Sequence, residues 1–374
     1  MPKFTAQWRR IVKAGPKPPV RQAQSVKNPD RLQKVVAYAA IGLAVATALP
    51  ALASGYQTWV TNQATKEQLK ILQDQQLLAE RGLVTGRFTA ATEQLASNRP
   101  AERIGGIYAL REIARDDDGY RSPIIKLLSA YVRDTSVRER SSDPKAVAGA
   151  DLQAAFSVLA VLRGKPYDPI VDLTGSYLPG LSLNARIQMS TNDLAANLLL
   201  RERPPLANIK DMVLVGADLR GAAIFDTFMK SAIFARADLT NSRIGNVDGT
   251  DASFNDAVMP GSIILKADLP GANLEGAVLD GAVIGFSSMI EAKFGTASLE
   301  GAVLYEVDLR GADLAFTELK RATLRHVRWN QTTRWPADMI KLVMANSRSQ
   351  PDGDFLLWPV DIDTGDPQLP LPTH

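Results

Sequence analysis

The chain of 374 residues has no cysteine and only two histidines, His326 and His374. Disulfides, thiolate nucleophiles and cysteine-ligated metals are therefore excluded. Two imidazoles, one at the last residue, are too few for a histidine zinc cluster and argue against a histidine-based triad. A glycine-rich phosphate loop and a serine elbow are also missing, since Gly164-Lys165 stands without the rest of such a loop. Asp116-Asp117-Asp118-Gly119 lacks the alternating oxygens and distal Glu of a calcium loop and reads as a solvated turn. These absences predict no enzyme: no catalytic residue, cofactor site or metal site is expected.

Acidic residues are almost absent from the first 34 positions, which hold nine Lys/Arg against Asp30 alone, a net of +8. The whole chain carries +3, so the other 340 residues sum to −5. The basic character belongs to an N-terminal arm, 1–34, and the sign of the body argues against a nucleic-acid partner.

Charge then disappears altogether. Val35 to Gln57 reads VVAYAAIGLAVATALPALASGYQ, and the next charge is Lys66. That length can cross a bilayer core, which needs about 20 apolar residues. Tyr38, Tyr56 and Trp59 stand near the ends, where aromatic rings favour the interface. Residues 35–60 are read as a single-pass anchor with the lipid bilayer as partner. Two other readings stay open: a signal peptide cleaved near Ala51-Leu52-Ala53, and a buried soluble helix. Pro50 is expected to kink or end the helix. The basic arm predicts a cytoplasmic N-terminus and an extracytoplasmic body, though Lys66 and Lys70 follow the segment too.

Residues 64–165 carry helix formers and read as a small stack of short antiparallel helices. Leu69, Leu72, Leu77 and Leu78 mark a stretch that could continue the membrane helix, which Gly82 and Gly86 are expected to punctuate before a short second helix. Pro100 opens PAERIGGIYALREIARD, with Ile104, Ile107, Leu110 and Ile113 on one face. Further helices are expected at SPIIKLLSAYVRD and GADLQAAFSVLAVLRG.

A period of five organises 207–331. Stepping by five from Ile209 to Trp329 gives 25 positions, and all but Gly249 carry a sizeable apolar side chain. The row includes Leu214, Leu219, Phe234, Leu239, Phe254, Leu269, Leu274 and Leu279, then Phe294, Leu299, Leu304, Leu309 and Leu314, expected to form the structural core. Two residues before each stands Ala in 16 cases, and otherwise Ser, Thr, Val or Met212. Neither a helix (period 3.6) nor a strand (period 2) keeps one face through such a register. A coil that turns a corner every five residues does, with large residues pointing in and small ones where the walls approach. Gly216, Gly221, Gly271, Gly276, Gly281, Gly301 and Gly311 suit the turns.

Units such as ADLRG, ANLEG, AVLDG and ASLEG resemble those of the pentapeptide-repeat family, without a register break across 207–331. The resemblance implies a right-handed, four-sided β-helix, here of about six coils and about 30 Å at sheet spacing. EQLAS, RIGGIYALREIARD and IIKLLSAYVRD resemble the helical module often placed before such repeats in bacterial membrane-associated proteins. Within 166–206, Val171-Asp172-Leu173, Ser176-Tyr177-Leu178 and Leu181-Ser182-Leu183 are weaker early units, and 186–206 is an insertion that resets the register. Residues 332–350 read as a capping helix begun near Pro336, and 351–374 as a poorly ordered tail.

The function implied is a membrane-anchored scaffold or interaction module with an unidentified protein partner; nothing in the sequence sets an oligomeric state. The alternative drawn from the resemblance is a DNA mimic acting on DNA gyrase or topoisomerase, as some family members are. Residues 207–331 hold 16 Asp/Glu against 12 Lys/Arg, a net of −4, which is sparse for duplex mimicry. The aspartates before core leucines (Asp218, Asp238, Asp268, Asp308, Asp313) read as structural, and His326 as a surface residue. Three irregular places are the candidate contact sites: the insertion, the Gly249 gap, and the basic cluster Lys320, Arg321, Arg325 and Arg328.

Overall fold

The computed structural model describes residues 29–184, apart from Ser142 and Pro144, and 207–361. The rest of the arm and the 186–206 insertion lie outside the described residues. The chain divides into two compact units, 1–80 and 81–374.

The first unit holds most of α1 (Pro29–Leu95). The helix runs unbroken through Pro50, Gly82 and Gly86, correcting the expected end or breaks there. Each glycine costs a helix only about 1 kcal/mol, and an added Cβ at Gly82 or Gly86 would meet nothing within 4 Å, so no packing demand opens the chain there. The helix contains an 18-residue window of mean hydropathy 2.1, with none of that window buried. By length and composition it fits a membrane span or a signal sequence.

In the second unit, the end of α1 packs with α2 (Pro100–Asp116), α3 (Asp118–Arg138) and α4 (Ala150–Leu162). Ile107, Leu110 and Ile113 of α2 are buried as the spacing predicts. Gly106 permits the close crossing: a Cβ there would lie 2.6 Å from the Ala91 carbonyl oxygen. The acidic run is a shared cap. Asp117 ends α2 and begins α3, its carboxylate accepting from the Gly119 amide at 2.8 Å. α3 starts seven residues before Ile125 and carries Pro123 as its sixth residue, where the ring removes one ladder N–H that the surrounding packing must offset.

The repeats form a β-solenoid with four sides and a coil of 20 residues. On the first side, bridges step through Val213, Ile233, Ser253, Asn273, Lys293 and Asp313, and on the second through Asp218, Asp238, Val258, Val278, Ser298 and Glu318. The third side is continuous sheet: β1 (Ser182–Asn184), β3 (Ala223–Phe228), β4 (Arg243–Asp248), β5 (Ile263–Asp268), β6 (Val283–Gly285), β7 (Val303–Tyr305) and β8 (Thr323–Arg325), paired in parallel. β2 (Ala207–Asn208) and the latter halves of β3 to β5 form the fourth. Asp172, Tyr177 and Ser182 pair with Val213, Asp218 and Ala223, 41 residues on instead of 20. The early units therefore build the first coil, and the described chain resumes with Ala207 on the next side.

The helical module closes the open start of this stack. Gln153 of α4 accepts from the Ser182 amide at 2.8 Å, Ser136 of α3 from the Tyr177 amide at 3.1 Å, and Arg133 donates to the Asp172 carbonyl at 2.9 Å. At the other end, the expected capping helix is only α5 (Ile340–Ala345). Strands do most of the closing. β11 (Phe355–Leu357) pairs antiparallel with β9 (Val327–Trp329) and with β10 (Ser347–Ser349), while β12 (Val360–Asp361) pairs with β8. This corrects the tail: 351–361 is built into the cap, because Phe355, Leu356 and Leu357 cover the last coil and Leu357 is fully buried. Residues 362–374 lie outside the described residues.

Packing explains one more choice. Ser242 and Ser262 occupy the small inward position usually given to Ala, and among the described residues their buried hydroxyls find no hydrogen-bond partner. An unsatisfied buried hydroxyl costs about 1 kcal/mol or more. Ser242→Ala and Ser262→Ala are each expected to stabilise the chain by about 1 kcal/mol, read as a higher urea midpoint at unchanged slope.

Candidate interaction surface

The side chains between the inward rows set what the solenoid shows to solvent. Every position of the inward row from Leu214 to Leu314 named above is buried, and Phe234 stacks on Phe254 with centroids 5.0 Å apart. Gly249 leaves no hollow. A Cβ there would lie 2.5 Å from Leu269 Cδ2 and 3.3 Å from Met229 Cγ, so the neighbouring coils already fill the space.

Two residues after most inward positions the backbone turns a corner with positive φ, though after Phe294 it is Gly295 that does so and Phe316 does not. Glycine occupies some corners, such as Gly276 (φ 69°), but Asp251, Asn241, Lys266, Glu291 and Phe286 hold the same conformation at 52–57°. This left-handed geometry costs a non-glycine residue about 1–2 kcal/mol. Asp and Asn accept it most readily, and the regular stacking on either side enforces it for the rest. The corner aspartates and asparagines were a readable signal; Lys266 and Phe286 gave none.

The four sides differ in chemistry. On the second, Arg220 bridges Asp218 at 2.6 Å and Asp238 at 3.7 Å. Asp218, Asp238, Asp308 and Asp313 each accept from the backbone amide two residues on, which ties these aspartates to the corners.

The third side is the apolar one. One outward column runs Ala223, Arg243, Ile263, Val283, Val303, Thr323; the other runs Phe225, Gly245, Leu265, Gly285, Tyr305, Arg325. Gly245 and Gly285 are recesses. A Cβ at Gly245 would lie 2.8 Å from the Phe225 ring, and one at Gly285 2.1 Å from Tyr305 Cζ. Each aromatic ring thus fills the space that a side chain at the neighbouring coil's glycine would take. Phe286, about half exposed, meets the Tyr305 ring edge-on at 4.8 Å. Burial beneath these neighbours, and the nearby Glu306 charge, push the Tyr305 hydroxyl above the usual tyrosine range. Ile263, Leu265, Val283, Tyr305 and Phe286 together make an aliphatic and aromatic stretch along this side. Sequence reasoning missed it, because the outward columns become contiguous only once the coil length of 20 is known.

The basic cluster is not one site. Arg328 pairs with Asp352 and with Asp354, the latter at 2.8 Å, and Arg310 reaches Asp354 at 3.3 Å, so acids of the cap neutralise it. Arg321 pairs with Glu300 at 3.1 Å. His326 holds a corner and lies edge-on to Trp358 at 5.7 Å. Among the described residues, no group of three or more His, Asp or Glu could hold a metal ion.

A pentapeptide-repeat family model, in eight copies, matches residues 266–295 and 287–325. With the four-sided stack of five-residue units, this identifies the repeats as pentapeptide repeats. No curated protein matches it. Among solved structures it is similar to HetL from the cyanobacterium Nostoc sp. strain PCC 7120, a pentapeptide-repeat protein involved in heterocyst differentiation regulation, at 16% identity, covering 44% of this chain and 83% of that one (TM-score 0.16). It is similar to Rfr23 from the cyanobacterium Cyanothece 51142 at 22% identity, covering 39% and 98% (TM-score 0.14). It is also similar to QnrB1, a plasmid-mediated fluoroquinolone resistance protein, at 13% identity, covering 46% and 88% (TM-score 0.19). The identification rests on the repeats and not on these likenesses.

Proposed function

We propose that this chain is a membrane-anchored, non-catalytic scaffold that presents its repeat solenoid to a protein partner. The observation that carries the reading is the third side, where aromatic rings seated over Gly245 and Gly285 join aliphatic columns into one solvent-facing wall. Residues 35–60 supply the anchor: the apolar window of α1 is wholly exposed, and a bilayer is the solvent that suits it. The excess of Lys/Arg in the basic arm supports a cytoplasmic N-terminus and an extracytoplasmic body.

Membrane fractionation tests the anchor. The chain is expected in a carbonate-resistant pellet; recovery in the soluble fraction overturns anchoring, and a product cut near Ala53 assigns a signal peptide instead. A photo-crosslinker at Ile263 is expected to give a discrete adduct that the same probe at Asn273, on the first side, does not. Equal adducts from both positions would remove the third side from consideration. The DNA-mimic reading predicts gyrase inhibition in a supercoiling assay; with a repeat charge of only −4, supercoiling is expected to proceed unchanged.

A further inference from the structure

A column of corner residues, one per coil, bounds the third side: Asn246, Lys266, Phe286, Glu306 and His326, all with φ of 50–53°. Lys266, Phe286 and Glu306 are exposed. Phe286 therefore stands one coil from a positive charge and one coil from a negative one, on the rim of the apolar columns.

That spacing is self-complementary. Two such faces can meet about a two-fold axis that lies between them along the strand direction. The rods then run antiparallel, and each outward column faces itself. With the axis at the coil of Val283 and Phe286, Ile263 meets Val303, Leu265 meets Tyr305, and Val283 and Phe286 each meet their own copies. Lys266 meets Glu306 twice, once on either side of the axis. Arg243 and Arg325 fall at the two ends of the contact, where long side chains can keep their charge in water.

Other registers lose the charge pairs. Moving the axis one coil earlier sets Lys266 against Lys266, and one coil later sets Glu306 against Glu306. Half a coil in either direction sets one of these charges against Phe286. An axis along the rods reverses the strands and puts Lys266 opposite the Gly261 corner. Opposed like charges select a register more strongly than apolar area does.

We infer that the partner of the third side is a second copy of this chain, packed antiparallel about Val283 and Phe286 with two Lys266–Glu306 pairs flanking an apolar centre. This pairing rests on the reading of that side as the protein-binding surface. Five coils at about 4.8 Å by a strand of about 10 Å give roughly 500 Å² over both copies, the size of a weak contact. Two copies tethered to one bilayer have a raised effective concentration that offsets the small area.

The photo-crosslinker at Ile263 tests the pairing in cells that produce the full chain with two different tags. The adduct is expected to join the two tags, with the crosslinked residue mapped by mass spectrometry to 303–306. An adduct with a different protein overturns the second copy as partner and leaves the interaction surface standing. An adduct confined to one chain also overturns the pairing, and no adduct at all overturns both readings. Charge swaps then read the register. Lys266→Glu and Glu306→Lys each oppose like charges twice and are expected to lower the two-tag adduct about fivefold. The double variant Lys266→Glu/Glu306→Lys is expected to restore it. Both side chains are exposed, so the swaps leave the core intact. A two-tag adduct that the single swaps leave unchanged overturns the pairing.

Discussion

Phe254→Ala is expected to cost about 4 kcal/mol, near the middle of the range for emptying a phenylalanine site in a packed core. Phe254 is 2% exposed and lies almost parallel to Phe234, at an interplanar angle of 4°. The coil cannot collapse into the hole, because its width is set by corners and by ladder hydrogen bonds on both flanks. A solenoid couples only neighbouring coils, so the damage stays local. Urea unfolding of the variant should therefore show two transitions, one for the coils on each side of the lesion, where the parent shows one. A single transition shifted by less than 1 kcal/mol would contradict this packing.

Removing the carboxylate of Asp151 is the second large effect. Asp151 is 1% exposed; it accepts from Arg103 Nε at 2.6 Å and from the Tyr131 hydroxyl, joining α4 to α2 and α3. Burial alone would raise its pKa. The hydrogen bonds from Arg103 and Tyr131, with the Arg103 charge, outweigh burial and hold it below the usual carboxylate range. Burial, and then the bond to Asp151, push the Tyr131 hydroxyl well above its ordinary value.

Asp151→Ala leaves a guanidinium mostly out of water and should cost about 3 kcal/mol. The pH dependence has a definite sign. A depressed carboxylate contributes stability that is present above its unfolded pKa, near 4, and is lost as pH falls through the lower folded value. A raised tyrosine contributes stability that is present below about pH 10 and lost as pH rises beyond it. The parent should lose stability at both ends of that window. Asp151→Ala should flatten the acid limb, measured as the urea midpoint from pH 3 to 7.

The inward rows were legible because a period of five leaves a mark at every fifth residue, and Ile209 to Trp329 hold it without a slip. α2 was legible from Pro100 and its apolar spacing. Other features needed the coil itself. The left-handed corners at Lys266 and Phe286 carry no local signature, since the neighbouring coils impose the conformation. The recesses at Gly245 and Gly285 look like turn glycines until Phe225 and Tyr305 are found lying over them. Phe355-Leu356-Leu357 was a visible apolar run, but the surrounding Asp, Gly and Pro masked it as tail. The glycines of α1 misled in the opposite direction, because an exposed helix tolerates them.

The ladder bonds of the solenoid run from coil to coil, along the direction in which the coils stack. A pull applied at the two ends of the repeats would therefore load the bonds of one terminal coil at a time, peeling it as a zipper opens instead of shearing many bonds together. Each coil released frees 20 residues, about 70 Å of extended chain. Were the two ends of the repeats pulled apart, tension would be relieved in even steps while the unpeeled coils kept their surface intact.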